Sequence, residues 1–377
     1  MNNIITTVTN GGLGRKDLRT DNISALVFAN NAPAIWATSK IKGFRSLEDL
    51  AANGVTAVNG YAEMYYHASE FFRFSPGALL YMCFNINFPA DLMAATNGSV
   101  KQVGVFFSNF TVLQSVYQAA ADTMDGLKCP IFIVAGYDST TALNLATCTD
   151  LATIVAPNVS VVAFGDGAAK GKTIATSLGK PYIPAVGSVL GVVAKANVHE
   201  SIAWVEKFNM SDGKELEVIR LADGNNTPTE NTLEGMSVKR YIVGRKFVGR
   251  SGTYLNDNAT ASPILANDYA YMNDVRVMNK AKRALYSALL PKLNSPVFVD
   301  PTTGAIRATT VDTLEILASQ ALNVLLSADE ISGFDVYIDP DQDVLGTSTL
   351  KIQVRIVVNG VARNIVLDLG LVTKLQA

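Results

Sequence analysis

From about Asn22 onward, short apolar runs rich in β-branched and aromatic residues alternate with helix-like runs, and this alternation constrains the fold more than any other feature. Ser24–Phe28, Gly77–Asn85, Val103–Phe107, Ile131–Ala135 and Val159–Phe164 are apolar almost throughout, the pattern of strands covered on both faces. Between them, Ser46 is placed to cap a helix over Leu47–Asn53, Ala62–Phe72 predicts a longer helix, and Val112–Met124 a third. Ala142–Val155 reads as helical or mixed, Val186–Val198 as a further strand-like run, and Ser201–Phe208 as helix-like. The fold class this predicts is α/β, a mixed-sheet core with flanking helices.

Turn formers crowd together at 222–232, which marks a seam. Beyond it, Tyr241–Val248 predicts a strand, and Ala270–Leu290 a long helix that Pro291 stops. Thr310 is expected to cap Val311–Leu326, whose Leu314, Leu317, Ala321, Leu322 and Leu325 make one apolar stripe. At the end of the chain Leu350, Ile352, Val354, Ile356 and Val358 alternate with Lys351, Gln353 and Arg355. Asn359-Gly360 then offers a hairpin turn into a second strand with Val361, Arg363, Ile365, Leu367 and Leu369 on one face. Asn3–Thr9 is β-prone too, cut off from neighbours by Gly11, Gly12 and Gly14. Four segments are therefore expected: an arm over 1–21, an α/β body over 22–232, a part with two long helices over 233–349, and a β hairpin or arm over 350–377.

Charge and composition exclude several functions. Lys and Arg total 31 against 33 Asp and Glu, so no basic footprint for nucleic acid or anionic lipid is present. Only 17% of residues are charged, which predicts surface destined for burial between subunits. No run is apolar enough to span a membrane, and the first residues, MNNIITTVTNGG, lack the basic and apolar regions of a secretory signal, so the chain is expected to stay in the cytosol. Cys83, Cys129 and Cys148 form no CxxC pair, and with two histidines they outline no zinc site or disulfide framework.

Chemical motifs are nearly formed but incomplete. FGDGAAKGKT resembles a P-loop, yet Asp166 stands where the first glycine should, and it would point negative charge at the phosphates. As a dinucleotide fingerprint, Gly165 and Gly167 lack a third glycine, Lys170 standing in its place. Asp339, Asp341 and Asp343 mimic a calcium loop, but Val344 and Leu350 occupy its glycine and glutamate positions. His67 and His199 have no nucleophile signature beside them. No cofactor or metal is expected, nor catalysis; the alternative is a cytosolic α/β nucleotide-binding enzyme using the Gly165–Thr173 loop.

Three stretches together resemble the contractile tail sheath proteins of phages and phage-like injection systems, in a divergent branch. They are Asn10-Gly11-Gly12-Leu13-Gly14-Arg15, then Gly187–Trp204, and then Gly252-Thr253-Tyr254 with the helix opening at Asn273, Arg276 and Lys280. Val277 replaces the second arginine of the family's usual pair. The resemblance implies stacked hexameric rings of this chain around an inner tail tube, with baseplate and terminator proteins as further partners and no direct contact with nucleic acid or membrane. It implies terminal arms that exchange strands through Ile4, Ile5, Val8, Gly11, Gly12, Ile365, Leu367 and Leu369. A tube contact is implied on one of the two long helices, with Lys280, Lys282, Arg283 and Leu314 as candidates. Assembly in a bacterial host's cytoplasm, as part of a virion tail or injection particle, follows from the same likeness. A capsid or tube protein of such a particle is a third reading.

Overall fold

A computed structural model describes residues 17–371 apart from 18, 59, 212, 213 and 266. The predicted segment Asn3–Thr9 and its glycines, with Ile4, Ile5, Val8, Gly11 and Gly12, lie outside the described residues. The apolar runs form β1 (Ser24–Phe28), β2 (Ile41–Phe44), β3 (Leu80–Phe84), β4 (Gln102–Phe107), β5 (Phe132–Tyr137) and β6 (Val159–Val162). They build one sheet in the order β2-β3-β1-β4-β5-β6, parallel except for β2 at the edge. Every residue of β5 and β6 is buried, as continuous apolar strands covered on both faces must be.

Helices cover this sheet. α1 (Leu47–Ala52) is capped by Ser46, whose side chain accepts from the Asp49 amide. α2 (Ala62–Phe74) follows the predicted span, α3 (Ala90–Thr96) lies before β4, and the predicted third helix is a π-helical turn over Leu113–Gln118 running into α4 (Ala119–Gly126). Beyond β6 come β7 (Phe164–Asp166), α5 (Lys170–Ser177), α6 (Val186–Lys195), β8 (Ile219–Leu221), α7 (Glu230–Val238) and the β9 (Gly244–Phe247) to β10 (Arg250–Leu255) hairpin.

Val186–Val198 is thus a helix, not a strand. α6 packs against α2 and against β1, β4 and β5, with residues 186–194 all buried. A helix enclosed on all sides carries no polar face, so its apolar run reads like a buried strand. What selects the helix is the i, i+4 pair Gly187 and Gly191, which brings two backbones together. A Cβ on Gly187 would overlap the carbonyl oxygen of His67, and one on Gly191 would lie 2.8 Å from that of Phe71. Ser75 Oγ donates to the Gly191 carbonyl at 2.9 Å across the same seam. Ser201–Phe208 is a series of turns, because Glu200 draws the chain round by accepting from the Asn197 amide and the Lys207 ammonium. Ala142–Val155 carries only a 3-10 turn at Leu151–Thr153.

The last third forms a second, smaller core. α8 (Met272–Leu289) and α9 (Ala308–Ser327) pack together beneath a two-stranded sheet of β11 (Gly333–Tyr337) and β12 (Gln353–Val357), with the short α10 (Val344–Thr347) between the strands. α9 starts at Ala308, so Thr310 lies inside it rather than capping it. The predicted hairpin at Asn359-Gly360 does not form. β12 pairs instead with the preceding β11, Gly333 opposite Val357 and Tyr337 opposite Gln353. Phe334, Val336, Val354, Ile356 and Val358 then bury against Val277, Ala281, Leu322 and Leu325. The turn type favoured by Asn-Gly needs positive φ at both residues, and neither adopts it.

Two outcomes follow for the core. Gly187→Ala should lower stability by about 2 kcal/mol or more through overpacking at the α2–α6 seam. Gly235→Ala, in α7 where a Cβ meets nothing, should raise it by about 0.5–1 kcal/mol, and chemical denaturation of both variants checks the pair. His67 is buried with both ring nitrogens unpartnered, and burial, aided by the Lys180 ammonium, lowers its pKa from 6.5 to about 3. The imidazole is therefore neutral in the fold and binds a proton more readily when unfolded, so its stabilising contribution is whole above pH 6.5 and lost as pH falls toward 3. Between pH 7 and pH 5 about 2 kcal/mol of stability should disappear on this account. His67→Leu should flatten that slope in denaturation curves taken across the range, and an unchanged slope would refute it.

Candidate assembly surface

The P-loop-like segment follows β7, which pairs with β8. Its acidic residue decides its chemistry. The buried Asp166 carboxylate accepts from the amides of Ala169 at 2.6 Å, Lys172 at 3.2 Å and Leu216 at 3.2 Å. Glu215 accepts from the Lys170 amide at 3.1 Å. The N–H groups that would cradle a phosphate at the start of α5 hold the protein's own carboxylates instead. Burial, with the neighbouring charges of Asp166 and Glu70, pushes the Glu215 pKa up. Lys172 itself faces solvent.

In doubly wound sheets ligands settle beyond the carboxyl ends of the strands, where strand order reverses. Here that point lies between β1 and β4, and aromatic rings close it. Phe28 at the end of β1 stacks on Phe106 of β4 at 5.1 Å, and the His67 ring sits 4.7 Å from Phe106. Beyond β5, Lys180 bridges Glu63 and Asp138, each at 2.8 Å. Burial opposes the charge on Lys180, but the two carboxylates outweigh it and raise its pKa. In the calcium-like turn, Asp343 accepts from the Gly346 amide and Asp339 from that of Asp341. Among the described residues no three His, Cys, Asp or Glu side chains converge as metal ligands.

The cations named on α8 are engaged within the chain. Lys280 pairs with Asp21 and Glu330, both at 2.7 Å, Arg283 reaches Asp21 and the Pro130 carbonyl at 3.2 Å, and Lys282 pairs with Asp125 at 2.8 Å. Leu314 is buried within α9. Arg276 is the residue whose role the sequence pattern did not reveal. Its guanidinium donates to the carbonyls of Val193, Ala196 and Asn197, which end α6. The face of α9 that remains in solvent carries Thr313, Ile316, Gln320, Asn323 and Val324, with the charged Asp312 at its amino-terminal end.

What the protomer leaves unfinished lies at its carboxyl end. β11 and β12 form a sheet of two strands, so among the described residues each has one unpaired edge. After β12 the chain passes along a cleft of about 1110 Å³ whose lining includes Trp204, Leu233, Phe247 and Leu255. From residue 360 to residue 371 no backbone hydrogen bond ties it to other described residues. Ile365, Leu367 and Leu369 are 80%, 76% and 89% exposed. Beyond Val357 no strand is formed among the described residues, and the apolar side chains and backbone of 364–371 are left without partners there.

Comparison with known proteins agrees with this geometry. The N-terminal domain of the DUF2586 family matches residues 103–259, and its C-terminal domain matches residues 268–376. A chain of the cryo-EM structure of the anti-feeding prophage baseplate is similar in fold, with a TM-score of 0.65, 15% identity, and coverage of 98% of this chain and 98% of that one. The crystal structure of a sheath tail protein from Desulfitobacterium hafniense is also similar, with a TM-score of 0.58, 10% identity, and coverage of 95% of this chain and 100% of that one. No curated protein matches in sequence. Carrying both domains of one family in order, the chain belongs to the DUF2586 family, and its fold is similar end to end to that of a sheath tail protein.

Proposed function

We propose that the protein is the structural subunit of a contractile tail sheath, polymerising as stacked hexameric rings around an inner tube and driving the tube outward by contraction. The observation that carries this reading is the exposed, unpaired segment 364–371 on a chain with the sheath fold. Ile365, Leu367 and Leu369 would add as a strand to a neighbouring copy, and Ile4, Ile5 and Val8, joined through Gly11 and Gly12, would do the same from the other end. The open edges of β11 and β12 are sites for such additions. The four segments, 1–21, 22–232, 233–349 and 350–377, would then be N-terminal arm, body, C-terminal part of the core, and a last segment in which β12 stays in the smaller core and the chain beyond it is the arm.

Contraction on this reading is a shift between two packings of the same subunits. Strand joints keep copies connected while bodies move, and the free energy comes from contact surface rather than nucleotide hydrolysis. With the α8 cations bound internally, the solvent face of α9, which carries Asp312 but is otherwise uncharged, would be the surface that meets the tube. The likeness to a baseplate chain and a sheath tail protein supports a place in a virion tail or phage-like particle, assembled in the bacterial cytoplasm beside baseplate and terminator proteins.

Electron microscopy of the expressed chain should show rings, tubes or contracted polymer. Truncation after Arg363 should abolish them without shifting the melting temperature, because residues 364–371 contribute little to the fold. Replacing Ile365, Leu367 and Leu369 with Ser should raise the critical concentration at least about 100-fold, since burying each side chain is worth about 1.5–3 kcal/mol. A monodisperse monomer at high concentration, or normal tubes from the truncated chain, would overturn the reading. The nucleotide-binding alternative has its own check. Asp166→Ala should cost about 2–4 kcal/mol by stranding buried amides, and ATP should leave the melting temperature of the parent chain unmoved. Saturable stabilisation by ATP would revive the alternative.

A further inference from the structure

We infer that Arg363 is the fixed root of the carboxyl-terminal arm, so that the moving part begins at Asn364 and reaches from there toward a sheet edge on a second copy. This rests on the sheath reading and adds where the arm is hinged. The residue with the greatest backbone freedom nearby is Gly360, and freedom alone would place the hinge there. The contacts place it further on.

Asn359 is held first. Its Nδ2 donates to the Asp329 carbonyl at 2.7 Å, and its Oδ1 accepts from Ser332 Oγ at 2.7 Å. Arg363 is held next, on three sides. Its guanidinium donates to Asp257 Oδ1 and to Asn258 Oδ1, each at 3.2 Å, and lies 3.4 Å from the centre of the Tyr271 ring. A planar guanidinium stacked on an aromatic face and bonded at its edge is oriented as well as attracted. Asp257, Asn258 and Tyr271 stand where the body meets the start of α8, with Asn258 Nδ2 bonded to Asn273 Oδ1 at 2.7 Å. The smaller core therefore leaves the body at this junction through α8 and returns to it through Arg363. Gly360, Val361 and Ala362 lie between two anchors and form one wall of the cleft. Past Arg363, Asn364 and Ile365 still border the cleft's rim, but Ile365, Val366, Leu367 and Leu369 are largely exposed and no backbone hydrogen bond to other described residues holds them.

A root at Arg363 shortens and aims the arm. Freeing residues 360–363 would lengthen the free segment by about 13 Å and let it leave in any direction, which lowers the effective concentration of the strand at its neighbour's edge.

Thermolysin, which cuts before apolar residues, can read the root in the unassembled full chain. Cleavage should occur before Ile365, Val366 and Leu367 but not before Val361. Arg363→Ala and Tyr271→Leu should open the Val361 site with the melting temperature nearly unchanged, and both should reduce the assembled fraction seen by sedimentation about 10-fold. Exchanging the charges, Arg363→Asp with Asp257→Arg, should recover part of that loss. Cleavage at Val361 in the parent chain, or full assembly of Arg363→Ala, would overturn the inference. If the parent chain forms no polymer while its cleavage pattern is as expected, the sheath reading fails and the root stands.

Discussion

The attachment of the smaller core to the body depends on one buried cation. Arg276 sits at the end of α6 and donates to the carbonyls of Val193, inside the helix, and of Ala196 and Asn197 just beyond it. Burial alone would make a guanidinium costly there, and it lowers the Arg276 pKa to about 10. The carbonyls, with the negative end of the helix dipole, compensate. Around it Lys280 and Arg283 fasten to Asp21, and Glu330 joins the network from beyond α9. About two turns of α8 thus bind the start of the described chain, the most enclosed helix of the body and the smaller core into a single unit.

That attachment explains why the basic character of α8 says little about an outside partner. Lys280, Lys282 and Arg283 form a cationic cluster when the sequence is viewed alone, yet each has an acid or a carbonyl waiting in the fold. The same substitution of internal for external partners recurs at α5, where Asp166 fills the place of a phosphate, and at the β1–β4 crevice, where Phe28, Phe106 and His67 fill the place of a ligand. The doubly wound architecture is kept while the positions it usually reserves for chemistry become solid core.

Much of the body was legible in the sequence because its strands announce themselves by continuity. β1 has the predicted bounds, Ser46 caps α1 as expected, and α2 overruns its predicted end by only two residues. α6 was misread because a short β-branched run buried on every side resembles a strand, although Val186, Val189, Leu190 and Val193 recur at helical spacing and Gly187 and Gly191 share the face against α2. The terminal hairpin failed for a different reason. Asn359-Gly360 is a strong local signal, but β11 offered Phe334 and Val336 as partners in burial over α8 and α9, and area removed from water outweighed turn preference. Arg363 showed in the sequence as one charge in an apolar alternation, and its anchoring role needed Tyr271 and Asp257, distant in sequence, to be brought beside it.

A strand that finds no place in its own sheet poses a problem of solubility for the free protomer, and the charge pattern bears on how it is contained. Val366, Leu369 and Leu371 are nearly fully exposed, yet Asn364 and Asp368 interrupt the run, and polar or charged residues within an apolar strand discourage indiscriminate edge pairing. A tail anchored at Arg363 samples less space than one freed at Gly360, so it meets fewer wrong partners before a matching edge arrives. On the proposed sheath reading, specific joining and protection from aggregation would then have one origin: the segment would gain free energy on a neighbour's sheet, and its hold at Arg363 would limit which neighbour could supply that sheet.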